Sequence, residues 1–137
     1  MEKLKKNYTQ SNIEFLGRVS DEKLRGLYQN AKAFIFPAKE DAGMMVVEAL
    51  ACGTPVIAYR AGGATEFIEE GKTGAFFEQQ NSGALLEALK NFAFSRFDPE
   101  TLRASARKYD RANFKKTLFA IIENSLNSQT HEDRHRS

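Results

Sequence analysis

Residues 34–59 read FIFPAKEDAGMMVVEALACGTPVIAY. The runs at residues 33–36 and 55–59 are apolar on every side, which is typical of strands that helices cover on two faces. Pro37 stops the first run, and Pro55 stands at the first position of the second, where a missing N–H is tolerated. Residues 43–52 between them predict a helix that ends at Gly53. Strand, helix and strand in this order predict a parallel βαβ unit.

The same alternation continues on both sides of this stretch. Further strands are predicted at residues 13–16 and 74–77, and the other predicted helices begin near Ser20, Gly63, Asn81, Asp98 and Phe114. We therefore expect an α/β fold, with a Rossmann-like, mostly parallel sheet and flanking helices. Residues 12–126 are expected to form this domain, residues 1–11 a flexible N-terminal segment and residues 127–137 a disordered tail.

The composition excludes several classes of protein. Twenty Lys and Arg oppose eighteen Asp and Glu among 137 residues, and a net charge of +2 argues against a nucleic-acid partner. A single cysteine, Cys52, cannot form an internal disulfide. No apolar run reaches the roughly 18 residues of a membrane span, and no secretory signal is recognisable. A cytoplasmic location is expected.

Glu48 is the one charged residue in the apolar run 44–52. A helix that is apolar all round is a buried one. We therefore expect the Glu48 carboxylate to be largely buried and to face the crevice at the carboxyl ends of the strands. It would be either a structural group bonded to a backbone or an Arg, or an acceptor for sugar or ribose hydroxyls.

Glu40 lies in the loop after a predicted strand, where open α/β sheets bind their ligands. By itself it would be interpreted as a surface charge. Gly43 begins the next helix, whose free N–H groups would attract a phosphate. Glu48 is about 7 Å further along the helix axis. A diphosphate flanked by a sugar and a ribose would fit this arrangement.

Five ordered segments carry a family resemblance. Glu40 and Glu48 form an E-x7-E motif, which is followed by ALACGTPVIA at residues 49–58, Gly62-Gly63 with Glu66, and EGKTG at residues 70–74. Residues 12–21, NIEFLGRVSD, precede the motif. Together they resemble the nucleotide-sugar-binding half of the group 1 (family 4) retaining glycosyltransferases of GT-B fold. The resemblance covers roughly residues 12–92 and implies part of the C-terminal domain of that fold.

The resemblance implies a role for each motif residue. Glu40 would be the catalytic-site residue that contacts donor-sugar hydroxyls near the reacting carbon, and Glu48 would bind the ribose. The backbone amides that would meet the sugar or the β-phosphate belong to Gly43, Met44 and Met45. The loop at Arg18 and Val19 would lie near the nucleobase. No metal ion and no cofactor beyond the donor substrate is implied.

The implied reaction is transfer of a hexose from a nucleoside diphosphate sugar to a glycan, lipid or protein acceptor, with retention, in polysaccharide biosynthesis. The pattern at residues 59–64 is similar to that of mannosyltransferase members of the family and favours mannose as the transferred sugar. The family's acceptor domain and the basic residues that hold the diphosphate have no counterpart here, and Ala42 replaces a common aromatic. Lys39 and Arg60 are expected to be surface charges.

A second hypothesis follows from these departures. The chain would be a non-catalytic, truncated or split nucleotide-sugar-binding module that needs a partner chain for the N-terminal half. Such a partner would also give it a peripheral position at the inner membrane. A nucleotide-dependent oxidoreductase is disfavoured, because no G-x-G-x-x-G follows a strand.

Two further expectations concern the ends of the domain. His131 to His135 match H-E-x-x-H, but they lie in a polar tail without an evident third ligand, so no zinc site is predicted. The strand at residues 13–16 is expected to pair with the strand at 33–36. Without that pairing, the apolar edge of the second strand would recruit another chain.

Overall fold

The computed structural model describes the backbone of residues 12–133 and the side chains of residues 12–125. Two ranges lie outside the described residues. They are residues 1–11, the predicted flexible N-terminal segment, and residues 134–137, the last four of the predicted tail, which include His135. In chain order the elements are α1 (Asp21–Asn30), β1 (Phe34–Phe36), α2 (Met44–Ala51), β2 (Val56–Tyr59), α3 (Ala64–Phe67), β3 (Gly74–Phe77), α4 (Ser82–Asn91), a 3₁₀ turn (Phe94–Arg96), α5 (Pro99–Arg107) and α6 (Arg111–Asp133).

The three strands form one parallel sheet in the order β1-β2-β3. Phe34 is paired with Val56, and Val56 in turn with Gly74, so β2 is the central strand. Val56, Ile57 and Ala58 are fully buried, as the run of apolar residues predicts. The predicted α/β class and parallel sheet are confirmed.

Helices cover both faces of the sheet. On one face, Val56 and Ala58 pack with Val46 and Leu50 of α2 and Leu102 of α5. On the other face, a smaller cluster consists of Ile57, Phe77 and Phe92, with α4 beside it. Alternate residues of β2 thus enter two separate cores, which is why that strand has no polar side.

The strand predicted at residues 13–16 is absent from the described residues. This segment pairs with no other strand, and β1 is the edge of the sheet. An extended segment becomes a strand only when its backbone groups find a ladder partner, and α1 does not bring residues 13–16 alongside β1. The predicted pairing between the two runs is therefore wrong, and Ile35 on the edge strand is exposed.

The helix ends follow local chemistry. Ser20, Asn81 and Asp98 each accept a hydrogen bond from the amide three residues later, as N-caps do. Pro99 occupies the first turn of α5. At the end of α2, the amides of Gly53 and Thr54 bond back to Leu50 and Ala49, and these bonds close the helix as predicted.

Two helix boundaries differ from the predicted ones. The helix expected to run from Gly63 to Gly71 ends at Phe67, because the Thr73 hydroxyl accepts from the Glu69 amide and closes a turn before β3. Helix α6 continues through Asp133 and so includes the first seven residues of the predicted tail. None of the described helices is long and apolar enough to cross a membrane.

Candidate functional site

The loops that leave β1 and β2 at their carboxyl ends lie directly against each other. The Gly63 amide donates a hydrogen bond to the Glu40 carbonyl at 2.8 Å. A Cβ atom at Gly62 would lie 2.3 Å from that same oxygen, and one at Gly63 would lie 2.5 Å from the Asp41 carbonyl oxygen. Both distances are well inside van der Waals contact. The glycine pair therefore sets the position of the Glu40 loop at the edge of the sheet where parallel α/β folds bind ligands.

The start of α2 has no side-chain cap. Its N-cap, Gly43, is buried in the left-handed conformation at φ 53° and has no side chain to cap the first turn. The Gly43 carbonyl accepts from Val46, which closes the first turn. The side chains of Met44 and Met45 are exposed. The first turn of α2 thus has an uncapped positive end beside two exposed side chains, which are local features of an anion-binding helix start.

Both motif carboxylates are exposed, and neither forms a hydrogen bond or an ion pair with another side chain among residues 12–125. The prediction that Glu48 is largely buried is wrong. Helix α2 buries Val46, Val47, Ala49 and Leu50, whereas Glu48 shares the opposite face with Met44 and Met45. The sheet and α5 pack against the buried face and leave this one exposed, although the helix sequence is apolar all round except for Glu48.

Glu48 lines a cleft of about 340 Å³ between α1 and α2, which we call the α1–α2 cleft. Its walls combine charged, aromatic and thiol side chains, from Asp21, Leu24, Arg25, Tyr28, Glu48, Ala51 and Cys52. The Thr54 hydroxyl donates to the Tyr28 carbonyl and so ties the end of α1 to the turn after α2. The two walls of the cleft are thereby held in a fixed relation.

Two titratable groups in this cleft are shifted toward their neutral forms. Burial raises the pKa of the Tyr28 hydroxyl, and the negative charges of Glu48 and Cys52 add to the effect. Burial likewise raises the pKa of the Cys52 thiol, which Arg25 partly offsets. A thiol with a raised pKa is a poor nucleophile at neutral pH, so Cys52 is best interpreted as a small packing residue.

The structure places the other predicted residues as follows. Arg18 is exposed and Val19 half-buried, immediately before Ser20 and α1, and neither is among the residues that line the cleft. Lys39 is exposed in the Glu40 loop. Arg60 forms ion pairs with Glu70 and Glu78 at 2.5 Å each. Arg60 therefore already has two carboxylate partners and is not free to hold a phosphate.

A larger hollow of about 620 Å³ lies along β3, between that strand, α4 and the 3₁₀ turn. It contains none of the predicted site residues. Size alone does not mark the site here, because neither the start of α2 nor either motif carboxylate lines this hollow.

A family model described as "Glycosyl transferases group 1" matches residues 1–111. The chain belongs to the group 1 glycosyltransferases. The resemblance carried by the E-x7-E motif and its neighbouring segments is thereby confirmed at the level of the family. The match includes the Glu40 loop, α2, the glycine pair and β3.

Relatives of this group 1 family member are named for different transfer reactions. A sulfoquinovosyl transferase of Arabidopsis thaliana is 32% identical over 117 residues, which is 80% of this chain and 23% of the relative. A D-inositol 3-phosphate glycosyltransferase of Corynebacterium urealyticum is 38% identical over 78 residues, 56% of this chain and 18% of the relative. This chain therefore spans about a quarter or less of the relatives' length.

Solved structures support the same fold. Sucrose-phosphate synthase from Thermosynechococcus elongatus superimposes with a TM-score of 0.69 at 29% identity, over 95% of this chain and 33% of that one. HepE of Anabaena, solved in complex with UDP-glucose, gives 0.60 at 25% identity over 93% of this chain and 35% of that one. The group 1 domain described here thus matches about a third of each solved chain.

Sequence reasoning missed the α1 wall of the cleft. The sequence predicted a helix that begins near Ser20 but not that its residues would line a site. The signal was present, because Asp21, Arg25 and Tyr28 follow one another at steps of four and three residues and so share one face. No local sequence pattern indicates the contact between the glycine pair and the Glu40 loop.

Proposed function

We propose that this chain forms the nucleotide-sugar-binding part of a retaining glycosyltransferase. It would take a hexose from a nucleoside diphosphate sugar and pass it to a glycan, lipid or protein acceptor. In this proposal Glu40 contacts the donor sugar, the amides at Gly43, Met44 and Met45 meet the sugar or β-phosphate, and Glu48 binds the ribose. Arg18 and Val19 lie on the nucleobase side. The donor needs no metal ion, and binding should persist in a chelator.

One observation carries the proposal. Glu40 and Glu48 are both exposed, on either side along the chain of a helix start without a side-chain cap, and no other described side chain pairs with either carboxylate. The row of carboxylate, positive helix end and carboxylate suits hydroxyls at both ends and phosphate between them. A cluster of structural ion pairs would instead have its charges neutralised internally, as those of Arg60 are.

Two observations bear on the identity of the donor, and they differ. The pattern at residues 59–64 favours mannose, whereas the solved relative HepE holds UDP-glucose. GDP-mannose and UDP-glucose therefore both belong in the first test. Because Arg60 is already paired, charge-assisted bonds to the diphosphate would be few, and we expect affinities near 1 mM, on the order of a few kcal/mol.

The experiment is a panel of nucleotide sugars measured by ligand-observed NMR against the wild-type chain and three variants. Glu40→Ala should weaken nucleotide sugars more than the bare nucleotide, because it faces the sugar in this proposal. Glu48→Ala should weaken both. Glu87→Ala removes an exposed carboxylate on α4 and is the control. Equal binding by Glu48→Ala and Glu87→Ala would refute the proposed site.

A second candidate is a nucleotide-sugar-binding module that acts with a partner chain. Large apolar side chains are exposed on α6, with Phe114 65% and Ile121 57% accessible, and Met44 is also exposed. Apolar surface of this kind commonly marks a protein interface. Sugar transfer by the isolated chain would favour the first candidate. Binding without transfer, with activity recovered on mixing with a chain that supplies the rest of the fold, would favour the second.

A further inference from the structure

The Tyr28 hydroxyl is buried and lacks a hydrogen-bond partner among the described residues. The residue is only 6% exposed. Its ring packs edge-on against Phe34 at 5.3 Å, and its carbonyl accepts from Thr54 and Ala31. The backbone of Tyr28 is thus held by two hydrogen bonds and its ring by packing against Phe34, with the hydroxyl away from water. Buried hydroxyls almost always have a partner, so an unpaired one calls for an explanation.

Glu48 is the acceptor best placed for this hydroxyl. Both residues line the α1–α2 cleft, and the charge of Glu48 contributes to the raised pKa of Tyr28. Asp21 is seven residues from Tyr28 on the same helix, about 10 Å along the axis, and it is not among the charges that shift the pKa of Tyr28. Arg25 has no acceptor atom, and the Cys52 thiol is a weak acceptor. The Glu48 carboxylate is itself without a hydrogen bond in residues 12–125.

We propose that Tyr28 is a positioning residue for Glu48: in the occupied cleft its hydroxyl donates to one Glu48 oxygen and leaves the other to accept from ligand hydroxyls. The inference rests on the proposed function, because it assigns Glu48 to a nucleoside ribose. An exposed glutamate samples many rotamers, and binding must select one of them. A hydroxyl already fixed beneath the cleft lowers the entropy lost in that selection. The bond is charge-assisted and strengthens when ligand excludes water.

The test combines affinity with stability. Tyr28→Phe, Glu48→Ala and the double variant are titrated with UDP, UDP-glucose and GDP-mannose by ligand-observed NMR. We expect Tyr28→Phe to weaken binding about tenfold and to add nothing in the Glu48→Ala background. Its melting temperature without ligand should equal or exceed that of wild type, since the hydroxyl has no partner to lose. Tyr59→Phe removes a hydroxyl beside the opposite core and should leave affinity unchanged.

A spectroscopic readout covers the case in which Glu48→Ala binds too weakly to titrate. With ¹³Cζ-labelled tyrosine, the Tyr28 resonance is assigned by its absence in Tyr28→Phe. Saturating nucleotide should shift that resonance in the wild type. An unshifted resonance in the saturated wild type would contradict the proposed bond.

Three outcomes would overturn the positioning role. Tyr28→Phe could bind as wild type does, its effect could persist undiminished in Glu48→Ala, or it could melt lower with affinity unchanged. The second would mean that the hydroxyl affects binding independently of Glu48, and the third that its role is purely structural. A wild type that binds none of the three ligands would overturn both this role and the proposed function, whereas a wild type that binds normally beside an unaffected Tyr28→Phe overturns this role alone.

Discussion

The amide nitrogen of Gly63 donates to the carbonyl oxygen of Glu40 at 2.8 Å. This bond joins the loops that follow β1 and β2 and places a motif carboxylate beside the start of α2. It can form only because residues 62 and 63 have no side chains, since a Cβ atom at either would meet the backbone of the Glu40 loop. The glycine pair is thus as much part of the site as the carboxylates are.

Gly62→Ala should disrupt this contact. Its backbone has φ 60°, where alanine is strained, and the new Cβ would lie 2.3 Å from the Glu40 carbonyl oxygen. We expect a loss of about 2–4 kcal/mol in the free energy of unfolding, measured by urea denaturation. Gly26→Ala is the control, because it is helical with nothing within 4 Å of its added Cβ, and it should stabilise by about 0.5–1 kcal/mol. Equal effects of the two changes would contradict the contact.

The two faces of α2 should respond differently to truncation. Glu48→Ala removes an exposed side chain without a hydrogen-bond partner, so the free energy of unfolding should change by less than about 0.5 kcal/mol. Val46→Ala opens a cavity in the main core and should cost about 2 kcal/mol. Chemical denaturation of both variants checks this, and a large loss in Glu48→Ala would mean that its carboxylate is buried after all.

Thr54→Val should loosen the attachment of α1. The substitution keeps the shape of a fully buried side chain but removes the hydroxyl that donates to the Tyr28 carbonyl. Because Ala31 still donates to that carbonyl, we expect a loss of about 1 kcal/mol rather than more. Thr65→Val breaks an exposed bond to Gly62 and should cost less than about 0.5 kcal/mol. Thermal denaturation that ranks the pair in the opposite order would argue against this role for Thr54.

Arg60→Met tests whether a basic residue near the site holds phosphate. The guanidinium is paired with Glu70 and Glu78 and lies 4.2 Å from the centre of the Phe76 ring. We expect nucleotide affinity to stay within about twofold of wild type, and stability to fall by less than about 1 kcal/mol, since all three groups are partly exposed. A tenfold loss of affinity by NMR titration would instead place Arg60 in the donor site.

The raised pKa of Tyr28 predicts that the folded chain loses stability at alkaline pH. Its folded pKa is raised above the ordinary value of 10.0, so above pH 10 the unfolded chain ionises first and the folded state loses stability as pH rises. Tyr28→Phe should lose less stability than wild type above pH 10, by equilibrium denaturation. Cys52, whose pKa is also raised, is present in both proteins, so their difference isolates Tyr28. Identical curves would mean that the hydroxyl ionises freely in the folded chain.

Strands at residues 34–36, 56–59 and 74–77 and the caps at Ser20, Asn81 and Asp98 could be predicted from sequence. Each rests on a local signal, an apolar run or a capping side chain within a few residues of the backbone group it satisfies. The family could be recognised for the same reason, because its E-x7-E motif is a fixed spacing of two glutamates along one loop and one helix.

Other features depend on which strands pair and which helices pack against each other. The run at residues 13–16 has a strand's composition, but composition cannot supply the neighbouring backbone that a ladder needs. Glu48 stands in an apolar helix, yet its exposure was decided by which face of α2 the sheet and α5 cover. The sequence by itself therefore determined the βαβ alternation, the helix ends and the family. Only the tertiary structure decided that Glu48 faces an open cleft above Tyr28, because burial is a property of the surrounding elements and not of the residue.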